Sequence, residues 1–174
     1  VTTVSAADAD LPVQTLMYSI DGGADAARFT VNASTGALSF VAAPDFEAPT
    51  DADSNNVYEV TVRASDGSLS DTQGLSVTVT AVNDNAPVIT SNGGGATGSV
   101  SIAENTSAVS TVTATDADLP AQTLTYSITG GADAAKFAID GSTGVLSFLA
   151  APDFEAPADA NADKAIARPG LLIS

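Results

Sequence analysis

Four short acidic pairs recur along this chain as two matched sets: Asp8-Ala9-Asp10 with Asp116-Ala117-Asp118, and Asp45-Phe46-Glu47 with Asp153-Phe154-Glu155. Asn83-Asp84-Asn85 lies between the second and third pairs, and Asp66 and Glu104 add carboxylates of their own. Carboxylate, amide and main-chain oxygens are the ligands of a hard cation such as Ca²⁺, which takes about six to eight of them at roughly 2.3–2.6 Å. On a strand end, residues two apart point the same way and can share one ion. Asp and Asn also favour turns and a solvated surface, so one cluster alone says little. Recurrence in a fixed order, with few basic side chains to neutralise them, shifts the weight to a cation site. Assembled without an ion, Asp45, Glu47, Asp84, Asp116 and Asp118 would repel one another.

The same residues make poor catalysts. The chain has no His and no Cys, which excludes an imidazole base, a thiolate zinc site and a disulfide framework. Lys136 and Lys164 are its only amine bases. Asp45 and Glu47 would suit a glycosidase acid pair, but they recur as Asp153 and Glu155 among turn residues, which fits a ligand role better. The chain is read as no enzyme.

Formal charge is −16 with five basic residues, so a phosphate backbone or an anionic lipid surface is a poor partner and cations are good ones. No apolar run approaches the roughly 20 residues needed to cross a bilayer. The opening Val1-Thr2-Thr3-Val4 lacks a basic start, an apolar centre and an initiator Met, so the sequence reads as an excerpt. Asn32-Ala33-Ser34 and Asn105-Thr106-Ser107 match the N-glycosylation pattern and are read as chance.

The elements that must position the carboxylates come in two copies. Val4–Asp53 returns as Val112–Asn161 with roughly 36 of 50 positions identical, at an offset of 108 residues from Asp8 to Asp116. That spacing suits two domains of ordinary size. Tyr58, Val60, Val62 and Ala64 alternate with Glu59, Thr61 and Arg63, the period of a half-buried strand. Leu75–Ala81 repeats the alternation, and Ser65-Asp66-Gly67-Ser68 joins the two runs as a loop longer than a tight turn. Leu16–Ile20 and Leu124–Ile128 read as strands ahead of paired glycines. Phe29/Val31 with Phe137/Ile139, and Leu38/Phe40 with Leu146/Phe148, supply further short strands. Val100–Ile102 is expected to open the second copy. About seven short strands per complete unit, with Pro44 and Pro49 opposing helices, predict an all-β sandwich.

The first copy lacks an opening strand and the second lacks its last two. The expected domains are 1–86, 87–161 and an atypical tail, 162–174.

Ala114-Thr115-Asp116-Ala117-Asp118, Leu124-Thr125-Tyr126-Ser127-Ile128, Ser142-Thr143-Gly144-Val145-Leu146, Asp153-Phe154-Glu155, Asn83-Asp84-Asn85-Ala86-Pro87 and Ala103-Glu104-Asn105 occur in one order. Together they resemble cadherin repeats in their bacterial form, from Val1 to about Asn161. The resemblance implies tandem Ig-like Greek-key β-sandwiches with Ca²⁺ between successive repeats. By position it assigns Asp45, Glu47, Asn83, Asp84, Asn85, Asp116 and Asp118 to the junction the chain contains. Asp8, Asp10 and Asp66 would serve a preceding junction, and Glu104, Asp153 and Glu155 a following one. Ala81 stands where the family's linker begins with Asp. The contained junction also lacks the first repeat's opening Glu and the second's late Asp, so weak occupancy is expected, at best about 10⁻⁴–10⁻³ M.

The resemblance further implies a surface or secreted bacterial protein in which the repeats mediate adhesion, homophilic or to other cell-surface proteins, or act as a calcium-stiffened spacer. The rival is a carbohydrate-binding or accessory module of a secreted glycan-active protein. Aromatics at 5% with no Trp, in positions that alternate into cores, argue against a sugar-stacking face.

Overall fold

The computed structural model describes residues 1–158 and the backbone of 170–173. The chain divides into two compact units, Val1–Val82 and Asn83–Ser174.

In the first unit the strands are β1 (Thr2–Thr3), β2 (Met17–Gly22), β3 (Phe29–Val31), β4 (Ala37–Phe40), β5 (Val57–Ser65) and β6 (Ser70–Thr78). They form two antiparallel sheets ordered β1-β4-β3 and β2-β5-β6. The alternation of β5 sets the inner face of its sheet: Tyr58, Val60 and Val62 are each 1% exposed, while Glu59 and Arg63 face water. Val4, Phe29 and Leu38 complete the core from the other side. Phe29 and Phe40 are opposite one another on β3 and β4 and stack at 4.6 Å, with Tyr58 edge-on to Phe40 at 5.1 Å. Rings in these geometries contribute about 0.5–1.5 kcal/mol per pair beyond the area they bury.

The second unit rebuilds the same arrangement with β7 (Val88–Ile89), β8 (Ala108–Thr111), β9 (Ala114–Thr115), β10 (Tyr126–Gly130), β11 (Phe137–Ile139), β12 (Val145–Phe148) and β13 (Gly170–Ile173). Its sheets are ordered β7-β9, β11-β12-β8 and β10-β13. Thr111 pairs with Val145 as Thr3 pairs with Ala37, and Phe137 stacks on Phe148 at 4.5 Å as Phe29 does on Phe40. A one-turn 3₁₀ helix precedes β3 and β11 alike, at Ala26–Arg28 and Ala134–Lys136.

Three sequence expectations change. Val100–Ile102 forms no strand: Val100 is exposed and the run belongs to none of the sheets, and without ladder hydrogen bonds so short a segment does not hold a strand. The second strand of the long hairpin starts at Ser70 instead of Leu75, because Ser65 pairs with Ser70 across a four-residue loop, and it stops at Thr78. The tail contributes structure. Its Gly170–Ile173 runs antiparallel to β10 with Ile173 opposite Tyr126, the register in which Ala64 of β5 stands opposite Tyr18 of β2. The rest of the tail lies outside the described residues. No helix among the described residues is long and apolar enough to cross a membrane.

Candidate metal centre

Each acidic pair adopts the same local structure. The first carboxylate accepts the N–H of the residue two places on: Asp10 N to Asp8 Oδ1 at 2.8 Å, Glu47 N to Asp45 Oδ1 at 2.9 Å, Asp118 N to Asp116 Oδ1 at 3.1 Å and Glu155 N to Asp153 Oδ1 at 2.9 Å. These are Asx turns, which follow from the short Asp side chain reaching its own backbone. The expectation that such pairs share a direction on strand ends is therefore replaced by a turn. That turn leaves Oδ2 of the first acid and the whole carboxylate of the second to face other partners.

In the first unit those partners come from far along the chain. Oxygens of Asp8, Asp10 and Asp66 all lie within 4.8 Å of one another. Asp66 is fixed by the β5–β6 loop, where Oδ1 accepts the N–H groups of Ser68 and Leu69, both at 2.6 Å. Those two donors hold its carboxyl below the ordinary value, outweighing burial. Asp45 and Glu47 form a pair in this unit, with Asp45 Oδ1 also taking Ala48 N at 3.2 Å.

The second unit holds two groupings. Oxygens of Glu104, Asp153 and Glu155 lie within 4.8 Å of one another, and Glu104 Oε2 accepts Phe154 N at 3.1 Å. Asn105 N bonds Pro152 O at 2.8 Å, which ties the segment carrying Glu104 to the loop carrying the acidic pair. The other grouping centres on Asp118, which is 1% exposed. Its Oδ1 accepts Asn85 N at 3.1 Å and Asn85 Nδ2 at 2.8 Å, and the same Nδ2 reaches Asp84 Oδ1 at 3.1 Å. The Asn85 side chain is the largest influence holding the Asp118 carboxyl below its ordinary value, against burial, with help from the N–H groups of Asn85 and Asp84. Asn83 enters through Gln122, donating to its Oε1 at 2.6 Å while Gln122 Nε2 reaches Asp118 Oδ2 at 3.3 Å. Asp116 supplies the turn beneath Asp118.

The donor set fits calcium. Every group offered is a hard oxygen, and two triads of ionisable carboxylates converge within a span that one cation of that class bridges.

Sequence reasoning missed four residues. Gln122 orients Asp118, and its copy Gln14 has a buried Oε1 with no hydrogen-bond partner. The signal was the Asp-x-Asp-x-x-x-Gln spacing, which both copies keep. Asp25 and Asp51 are buried carboxylates, 5% and 6% exposed, and Asp51 opens an Asp-Ala-Asp run of the same spacing as Asp8-Ala9-Asp10.

A family model described as Cadherin domain matches residues 1–81. Human Protocadherin Fat 1 is 36% identical over 132 residues, 72% of this chain, and human Protocadherin Fat 4 is 36% identical over 162 residues, 89% of it. The chain spans 3% of the length of either relative. The crystal structure of human protocadherin-24 EC1-2, Form II, superposes with a TM-score of 0.65 at 27% identity, covering 85% of this chain and 67% of that one.

Proposed function

We propose that this chain, whose residues 1–81 match a family model described as Cadherin domain, belongs to a bacterial surface or secreted protein whose tandem calcium-binding repeats mediate adhesion or hold a spacer rigid. The observation that carries the reading is the convergence of Asp8, Asp10 and Asp66, residues distant in sequence, into one three-carboxylate group, mirrored by Glu104, Asp153 and Glu155. Nothing in the hydrophobic core requires carboxylates to be gathered in this way, and their mutual repulsion opposes it.

The ligands in this reading are Asp8, Asp10 and Asp66; Glu104, Asp153 and Glu155; and Asp45, Glu47, Asn83, Asp84, Asn85, Asp116 and Asp118. Bound calcium would supply the positive charge that offsets carboxylate repulsion. The chain's own part is to hold the oxygens ready. Asx turns fix the first acid of each pair, the β5–β6 loop fixes Asp66, and Gln122 with Asn85 fixes Asp118. The role is mechanical and non-enzymatic, with calcium and other cadherin-like repeats or cell-surface proteins as partners. Tyr18, Phe29, Tyr58 and Phe137 are buried, so these rings offer no face on which a sugar could stack.

Calorimetric titration of calcium into the intact chain, with amide hydrogen exchange read alongside, tests the proposal. Binding in the range of about 10⁻⁴–10⁻³ M with slowed exchange at Asp10, Ser68 and Glu155 is expected. No heat and unchanged exchange at those amides would overturn it.

A further inference from the structure

We propose a separate cation site within the first unit, in the loop Asp51-Ala52-Asp53-Ser54-Asn55-Asn56, that takes a hard divalent cation of the calcium class. Oxygen-bearing side chains stand at the first, third and fifth places, the spacing with which a calcium loop wraps one ion. The sixth place in such loops needs a sharp turn that glycine usually provides. Here Asn56 makes it with φ 63°, the left-handed region that Asn tolerates better than most residues.

Spacing and turn alone would not distinguish the loop from any solvated acidic turn. The independent observation is Asp51 itself. Its side chain is more than nine-tenths buried, and Oδ2 accepts Asn55 N at 2.7 Å, but the buried Oδ1 has no hydrogen-bond partner. Asn56 Oδ1 is a second buried oxygen of the same loop without a partner, its Nδ2 being turned to Phe46 O at 3.0 Å. A buried carboxylate oxygen left bare costs several kcal/mol unless something meets it. Two bare oxygens, one from a carboxylate, stand in the loop with the exposed carboxylate of Asp53, whose Oδ2 accepts Asn55 Nδ2 at 2.7 Å, and with Asn55 Oδ1, which accepts Val57 N at 2.7 Å.

The surrounding structure holds the loop ready. Asp25 accepts Ala52 N at 2.7 Å and Glu59 N at 2.8 Å, and Tyr58 Oη accepts Thr50 N at 3.1 Å, so both ends are pinned to the core. The twelfth place, where a calcium loop carries a bidentate Glu, is Val62 in the buried face of β5. Water must complete the shell, which sets the affinity in the weak range of about 10⁻³ M. In sequence the second copy keeps oxygen donors at the same spacing in Asp159-Ala160-Asn161-Ala162-Asp163, residues that lie outside the described part.

The test is a calcium titration of the intact ¹⁵N-labelled chain followed amide by amide, so that the loop is read separately from the three-carboxylate groups. Saturable shifts at Ala52, Asn55, Asn56 and Val57 are expected, weakened at least about tenfold by D53N and abolished by D51N, since affinity follows ligand charge. In D51N the amide oxygen can still accept Asn55 N. Exposed Asp53 carries the test should D51N fail to fold. Loop amides that stay still up to roughly 20 mM calcium, or that shift identically in D53N, would overturn the proposal, with water then meeting the bare oxygens. D10N, which removes a ligand of the Asp66 grouping, is expected to leave the loop's response unchanged; loss of that response in D10N would also count against a separate site.

Discussion

The carboxylate of Asp25 accepts the N–H of Glu59, a residue 34 positions away on the solvent-facing side of β5, at 2.8 Å. Its other oxygen takes Ala52 N at 2.7 Å, so one buried side chain holds together the end of the β4–β5 connection and the start of β5. Replacing Asp25 with Ala removes the acceptor for two amides at once. A loss of about 2–5 kcal/mol is expected, with the first unit unfolding at lower denaturant, because each unsatisfied buried donor costs about 1–3 kcal/mol. Chemical denaturation followed by Tyr fluorescence measures it. D25N, which keeps an acceptor for one of the two, should lose about half as much.

Gly36 and Gly144 are a matched pair of backbone requirements. Both have φ near +70°, and a Cβ at Gly36 would sit 2.1 Å from Val4 O, at Gly144 2.2 Å from Val112 O. In each case that carbonyl's own residue donates its N–H to the glycine's C=O, at 2.9 and 2.8 Å. G36A should therefore cost at least about 2–4 kcal/mol, combining left-handed strain with displacement of a core segment, since Val4 belongs to the core. G67A, at a positive φ with nothing within 4 Å, should cost only the conformational part, about 1 kcal/mol. Thermal melts of the two variants separate steric from conformational cost.

Much of this was legible from the residues. The alternation of Tyr58, Val60 and Val62 announced β5 because its inner face is wholly buried, and the Asp8, Asp10 and Asp66 grouping was legible because the resemblance assigned all three to one end of the repeat. Val100–Ile102 misled because its place at the start of the second copy says where a strand is wanted, not whether a neighbour pairs with it. Gly170–Ile173 was unreadable for the converse reason: four residues outside the repeat pattern acquire strand form from the edge of β10. Asp25 was missed because burial of a single carboxylate depends on which amides the fold brings to it, and the burial of Asp51 is likewise not encoded by the Asp-Ala-Asp spacing that it opens.

Acid should distinguish two turns with the same hydrogen bonds. Asn32 Oδ1 accepts Ser34 N and Thr35 N, both at 3.0 Å, and in the second copy Asp140 Oδ1 accepts Ser142 N at 2.9 Å and Thr143 N at 2.8 Å. The Thr143 and Ser142 N–H groups, helped by the Thr143 side chain, hold the Asp140 carboxyl below its ordinary 3.8. A folded-state value below the unfolded one means the ionised form is favoured by folding. The contribution is complete above about 3.8 and is lost as the pH falls through the lower folded-state value. Asn32 does not titrate. Amide exchange at Ser142 and Thr143 should accelerate in that acid window relative to Ser34 and Thr35 after correction for intrinsic rates, and D140N should abolish the difference.

Asn85 offers the sharpest test of what calcium would do to the linker. Its Nδ2 donates to both Asp84 Oδ1 and Asp118 Oδ1, so without an ion one amide group already quiets two carboxylates. N85D replaces that donor with a third negative charge beside them. In calcium-free buffer the variant should loosen the segment around residue 85, because like charges at this spacing repel and the Asn85 donor to Asp118 is gone. In calcium the order should reverse, since an added carboxylate raises affinity where an ion is held, by an expected factor of about ten. Exchange rates at Asp84, Asn85 and Asp118, with and without calcium, read both halves. A variant looser than the parent in both buffers would mean that the carboxylates around Asn85 hold no cation and that the amide alone keeps them together.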